Sequence, residues 1–252
     1  MDDFSIEADA AGFFAKWAEA WPAARSAQLF ASEGEWPRLR ARIGVLFEIG
    51  EACWVLRDAT VRAHKLAWWK DELRLNGESR PRHPLLLATP GLKLSPRMAD
   101  YALQSLDDAT PSNASETLVR IQRLAENSDD AAVVVATVQI LAVAMYLLAL
   151  REGQASAFAH APLDLRARHG VADAETGTVL GALVTTLALI WRDELQARYR
   201  RLPRVEWHGQ RGLRVLHHAA LRLIDALAAG RTLPAVNWRN TLTAWWAVAG
   251  MH

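Results

Sequence analysis

The chain has one cysteine, four lysines and three tyrosines among its 252 residues. A single cysteine can form neither an internal disulfide nor a zinc cluster. Cys53 lies in the apolar run Ala52-Cys53-Trp54-Val55-Leu56, where it reads as a small core residue and not as a reactive thiol. Charge of one sign is missing too. Lys and Arg total 29 against 28 Asp and Glu, a formal net charge of +1, which speaks against a nucleic-acid partner. The acidic start Met1-Asp2-Asp3-Phe4 has no apolar run behind it. No secretory leader is expected, and a reducing cytoplasm is the expected location. No phosphate-binding loop, dinucleotide fingerprint or nucleophile elbow occurs.

What is present is helix-forming. Ala, Leu and Arg dominate, and no alternating run is bounded by hairpin turns. Breakers divide the chain into expected helices: a pair over Ala8–Ala31 interrupted by Pro22, then Trp36–Arg57 and Thr60–Asn76. Further helices are expected to reach Leu106 from Ser95-Pro96 and Ala125 from Pro111-Ser112. Four more follow, at Asp129–Arg151, Ala174–Arg201, Gln210–Ala229 and Pro234–Ala249. No repeat and no long linker divides them, so residues 1–252 read as one all-α domain. Ala131–Leu150 is twenty residues without a charge, long enough to cross a bilayer. It is rich in Ala and Val, contains Gln139 and lacks aromatic belts, and so reads as the buried central helix of a bundle.

The most distinctive stretch is Lys65-Leu66-Ala67-Trp68-Trp69-Lys70-Asp71-Glu72-Leu73, followed by Gly77 and Pro81-Arg82-His83-Pro84-Leu85. On a helix, Leu66, Trp69 and Leu73 share one face while Lys70, Asp71 and Arg74 point elsewhere. Two indoles would anchor the helix ahead of a proline-fixed turn. This stretch resembles the squalene/phytoene synthase family, whose short bacterial members carry a similar Trp-Trp helix and Pro-x-His-Pro turn. Two later segments extend the resemblance: Ala161-Pro162-Leu163-Asp164-Leu165 through Gly170, and the tail from Gly230 to Trp245-Trp246. Residues 1–35 are only weakly covered. The resemblance implies a helical bundle of the isoprenoid-synthase type with a central apolar cavity. Trp68, Trp69, Arg82 and His83 are its family-equivalent positions, expected to stabilise the fold more than to react.

Members of that family join isoprenoid diphosphates through Mg²⁺ held by aspartates spaced i, i+4, a separation of one helical turn that brings both carboxylates to one hard cation. No two aspartates here are four residues apart. With Glu counted, only Asp3/Glu7 and Glu126/Asp130 have that spacing, and neither pair falls at a family position. At the first position the helix reads Glu48-Ile49-Gly50-Glu51-Ala52, and at the second Arg151-Glu152-Gly153-Gln154-Ala155-Ser156. The expectation is a synthase-like protein without Mg²⁺-dependent prenyl transfer, binding an isoprenoid or other lipid or serving an assembly-type protein partner. Neither metal nor cofactor is expected on this reading. The alternative is an active head-to-head prenyltransferase in which Glu48, Glu51 and Glu152 hold Mg²⁺.

Other groupings read as structural. His160/Asp164 has metal-ligand spacing but lies in a proline-interrupted stretch. His217 and His218 point about 100° apart on a helix, one toward packing and one toward solvent. Arg198, Arg200, Arg201 and Arg204 complement a helix C-terminus. Eleven tryptophans are compatible with peripheral membrane contact at most.

Overall fold

A computed structural model describes residues 3–125, 130–172, 177–202 and 207–231. Among these the chain is helical throughout, with twelve helices and no strand. They are α1 (Asp3–Ala20), α2 (Ala23–Phe30), α3 (Trp36–Trp54), α4 (Ala59–Gly77), α5 (Pro84–Leu87) and α6 (Arg97–Asp107). The second half adds α7 (Ala114–Arg123), α8 (Ala132–Arg151), α9 (Ala155–Ala159), α10 (Leu163–His169), α11 (Gly177–Arg200) and α12 (Arg211–Ala228).

Local chemistry sets the boundaries. Pro37 occupies the first turn of α3, where a missing N–H costs nothing. Asp58 caps α4, its Oδ1 accepting from the backbone N–H groups of Thr60 and Val61 at 2.8 and 3.0 Å. That cap ends α3 at Trp54, three residues short of the expected Arg57. Asn113 caps α7, and Glu116 reaches back to accept from the N–H and hydroxyl of Ser112. The first helix starts at Asp3, ahead of the expected Ala8, because Glu7 is tied by a two-pronged ion pair to the buried guanidinium of Arg40, at 2.5 and 2.7 Å. The short α5, α9 and α10 were not expected, being too brief for a periodic pattern. The expected helix over Pro234–Ala249 lies outside the described residues, as do Arg204, Glu126 and the Trp245-Trp246 tail.

The apolar α8 runs through the middle, flanked by α3, α7, α11 and α12. It is the one described helix long and apolar enough to cross a membrane, and 72% of its most apolar stretch is buried inside the protein. Rings line its path: Tyr146 lies 5.8 Å from Trp54 of α3 and 5.9 Å from Trp191 of α11. Trp191 donates its indole N–H to the Ala114 carbonyl at 3.0 Å. The Tyr146 hydroxyl is fully buried without a hydrogen-bond partner. Cys53 is buried in the same core, and burial pushes its thiol up to about 12, which leaves it inert. On the far side His217 is fully buried and His218 only partly, as their angular offset requires.

Candidate functional site

The face of α3 toward α1 and α4 carries Glu48 and Glu51, one turn apart. Two lysines meet them there. Lys16 of α1 contacts Glu48 Oε1 at 3.2 Å and Glu51 Oε2 at 3.0 Å. Lys65 of α4 contacts Glu48 Oε2 at 2.8 Å and Glu51 Oε2 at 2.6 Å. Both ammonium groups thus bridge both carboxylates, and the cluster is electrically neutral. Burial pulls the Glu51 carboxyl upward, but hydrogen bonds and charge from Lys65 and Lys16 outweigh it and hold the group below its ordinary value. Burial works against the Lys16 ammonium, yet Glu51 and Glu48 together raise it above its ordinary value. Position 52, one turn beyond Glu48, is alanine.

The opposing position is built differently. Glu152 is exposed at the end of α8, where its backbone caps the helix. Ser156 is buried; its hydroxyl donates to the Leu56 carbonyl at 2.6 Å and accepts from Arg62 Nη1 at 3.1 Å. Arg62 and Lys65 lie three residues apart on α4. One helix therefore presents a cation to each of the two positions where the family resemblance calls for acidic clamps. Among the described residues, no group of three or more His, Cys, Asp or Glu side chains is arranged to hold a metal ion. A magnesium ion does not fit the donors that are present. It would have to displace two ammonium groups from Glu48 and Glu51, and Ser156 offers a hydroxyl already in use.

The Trp-Trp helix and its turn abut this cluster. Trp69 is 1% exposed and Trp68 41%, so one indole anchors the helix and the other caps its surface, which corrects the expectation of two anchors. The His83 ring packs 4.7 Å from Trp69, 5.7 Å from Trp68 and 4.5 Å from Phe13 of α1. Its Nδ1 accepts from the Leu85 N–H at 3.2 Å, capping α5. Desolvation lowers the His83 imidazole from its ordinary value; Glu48 and Glu72 pull the other way, and Lys65 adds to the lowering. The Arg82 guanidinium lies over the Trp68 ring at 5.9 Å.

A residue the sequence reading passed over holds this turn. Glu72 is fully buried, and its carboxylate accepts from the backbone N–H of Arg82 at 2.6 Å, that of His83 at 2.7 Å, and Arg82 Nε at 3.0 Å. Three donors on one carboxylate offset its desolvation and clamp the turn to α4. The signal was available: Glu72 is a lone charge beside Leu66, Trp69 and Leu73, on a face that otherwise reads as core.

The remaining candidates are structural. Asp164 is exposed and accepts from the Leu165 N–H at 2.7 Å, with no metal-binding arrangement at His160. Arg198 donates to Gln122 at 3.0 Å and to Glu194 at 2.6 Å. Asp130 pairs with Arg42.

No protein-family model matches the sequence, and no curated protein sequence matches it either. A solved structure does: a dehydrosqualene synthase, described as a complex with ligand, aligns with a TM-score of 0.62 over 99% of this chain and 98% of that one. Sequence identity between the two is 12%. What the two chains have in common is architecture: this chain has the all-helical isoprenoid-synthase fold of that squalene/phytoene synthase family member.

Proposed function

We propose that the protein is a non-catalytic relative of the isoprenoid synthases that binds an isoprenoid or similar lipid in its apolar interior and works as a binding or assembly partner. The observation that carries this reading is the double bridge of Lys16 and Lys65 across Glu48 and Glu51. Ionising an allylic diphosphate demands divalent metal at the leaving group. Here the acidic side chains on α3 are already neutralised by fixed cations, and Arg62 stands beside Ser156 at the opposite position. A lipid ligand is supported by the fold that this chain has in common with a dehydrosqualene synthase solved in complex with ligand.

The test is direct. Purified protein is incubated with farnesyl or geranylgeranyl diphosphate and Mg²⁺, and pyrophosphate release is followed; lipid extracted from detergent-free protein is identified by mass spectrometry. The expected result is no turnover and a copurifying apolar lipid. Pyrophosphate release that vanishes in Glu51→Ala would overturn the reading in favour of a glutamate-based prenyltransferase using Glu48, Glu51 and Glu152.

A further inference from the structure

The sequence carries a second uncharged run, residues 176–191, and α11 is built on it. A helix without charge on any side belongs inside a protein. The inward side of α11 obeys: Leu183, Val184, Leu187 and Trp191 are buried. Its outward side does not. Ala182 and Leu189, seven residues apart, run down the middle of that side, with Leu189 42% exposed and the adjacent Ile190 44%. Thr185 and Thr186 are only partly covered, and a Cβ placed on Gly181 would meet nothing within 4 Å among the described residues. Over residues 181–190 this makes a strip ~14 Å long without a charge.

The strip has two walls. On one side lies α10, whose His169 Nε2 stands 3.0 Å from Thr186 Oγ1. On the other, α12 ends at Ala228 and the chain turns through Gly230, in the left-handed region at a φ of 62°. A Cβ at Gly230 would stand 3.9 Å from Thr185 Oγ1. The last described residue, Arg231, is thus delivered to the edge of the strip.

Residues 232–252 lie outside the described residues, and their composition answers the strip. They hold three of the eleven tryptophans and one side chain charged at neutral pH, that of Arg239. At helical spacing Trp238, Leu242, Trp245 and Ala249 fall within about 60° of one another, away from Arg239, Asn240 and Thr243. A helix over 234–249 would be ~24 Å long, enough to span the strip from a start beside Thr185. Two indoles bring roughly 150–250 Å² of surface each, and Gly181 and Ala182 leave room for a ring. One turn past Leu189 the strip reaches Asp193, 74% exposed, a counter-charge for the one arginine of the segment.

We propose that the uncharged outward face of α11 is a docking groove for this chain's own residues 232–252, which bind it as a helix through Trp238, Leu242 and Trp245. The mode is helix-in-groove within one molecule. No residue of the lysine–glutamate cluster takes part, so the lipid reading of the interior can fail while this one stands.

Hydrogen exchange of the full chain, read by mass spectrometry, tests it. Amides of 238–249 are expected to be protected in the parent and to lose that protection about tenfold or more in Leu189→Asp/Ile190→Asp, while those of α8 do not change. Trp238→Ser/Trp245→Ser alters the segment instead of the groove and should lose the same protection. Free exchange over 238–249 in the parent, or protection unchanged in either folded variant, would overturn the proposal. So would protection that rises with protein concentration, the mark of a second copy, or that needs vesicles of phosphatidylcholine and phosphatidylglycerol, the mark of a bilayer.

Discussion

A buried carboxylate is worth keeping only where donors surround it, and Glu72 shows the arrangement at the scale of one side chain. Removing it strands the N–H groups of Arg82 and His83 and frees the turn that carries them. Glu72→Ala is expected to cost about 3–5 kcal/mol, the range for breaking a buried polar pair, and Glu72→Gln to recover part of that through its remaining acceptor oxygen. Urea unfolding followed by circular dichroism measures both; an alanine variant as stable as the parent would mean that the turn is held by other contacts. The neighbouring indoles divide in the same way. Trp69→Ala should cost about 3–5 kcal/mol, or roughly 6–20 °C in melting temperature at about 2–4 °C per kcal/mol. Trp68→Ala removes a ring that is 41% exposed and should cost about 1 kcal/mol. The heptad-scale pattern made the Leu66–Trp69–Leu73 face legible. It could not separate two adjacent tryptophans by burial, because a 100° step leaves the second at the rim of either face.

Helix α3 is where elements meet, and its small residues decide how closely. A Cβ at Gly44 would stand 1.9 Å from the Trp17 ring of α1 and 2.6 Å from Leu85, so α1 lies against bare backbone there. Gly44→Ala should therefore destabilise by about 1–3 kcal/mol despite its better helix propensity, as overpacking does. A melting temperature at or above the parent value would show that α1 can move aside freely. The same close approach brings Lys16 to Glu48 and Glu51. That pairing was not legible in the sequence, since Lys16 lies 32 residues from Glu48 and nothing in a local pattern says which of four lysines crosses to α3. The degraded acidic spacing was legible; the cations that answer it needed the packing of α1 and α4. One expected outcome follows from those cations. Mg²⁺ or Mn²⁺ should leave the melting temperature of the parent protein unchanged, whereas Lys16→Met/Lys65→Met, which exposes two unneutralised carboxylates, should be stabilised by either ion. Metal-dependent stabilisation of the parent, read by differential scanning fluorimetry, would contradict the neutral-cluster account.

Across the whole molecule, the order of the long helices could be read from prolines, glycines and caps, and an uncharged twenty-residue run marked the centre. For the histidines only the split between His217 and His218 could be read that way, not the burial around His160 and His83, and burial governs the acid response. His217 is fully buried; desolvation, then His218 and Arg214, hold it at about 3, while His160 sits at about 4. Their unfolded values are near 6.5. A histidine whose value is lowered by folding stays neutral in the native state while the unfolded chain takes up its proton. Stability is then complete above about pH 6.5 and declines below it, by up to ~1.4 kcal/mol per pH unit for each such ring, until the folded value is reached. Desolvation lowers His83 and His218 in the same direction, so they steepen the slope. Glu51 acts later: its lowered carboxyl contributes above its ordinary range near 4.5, and that contribution is lost only as pH falls through the folded value. Between pH 6.5 and 4.5 the loss of stability thus belongs to the histidines. Urea midpoints taken every half unit should fall steadily over that window, and His217→Gln, whatever its own cost, should make the decline shallower. A midpoint flat from pH 7 to 4.5 would mean that these rings are charged or hydrated in the native protein, and the buried-imidazole account of its acid sensitivity would fail.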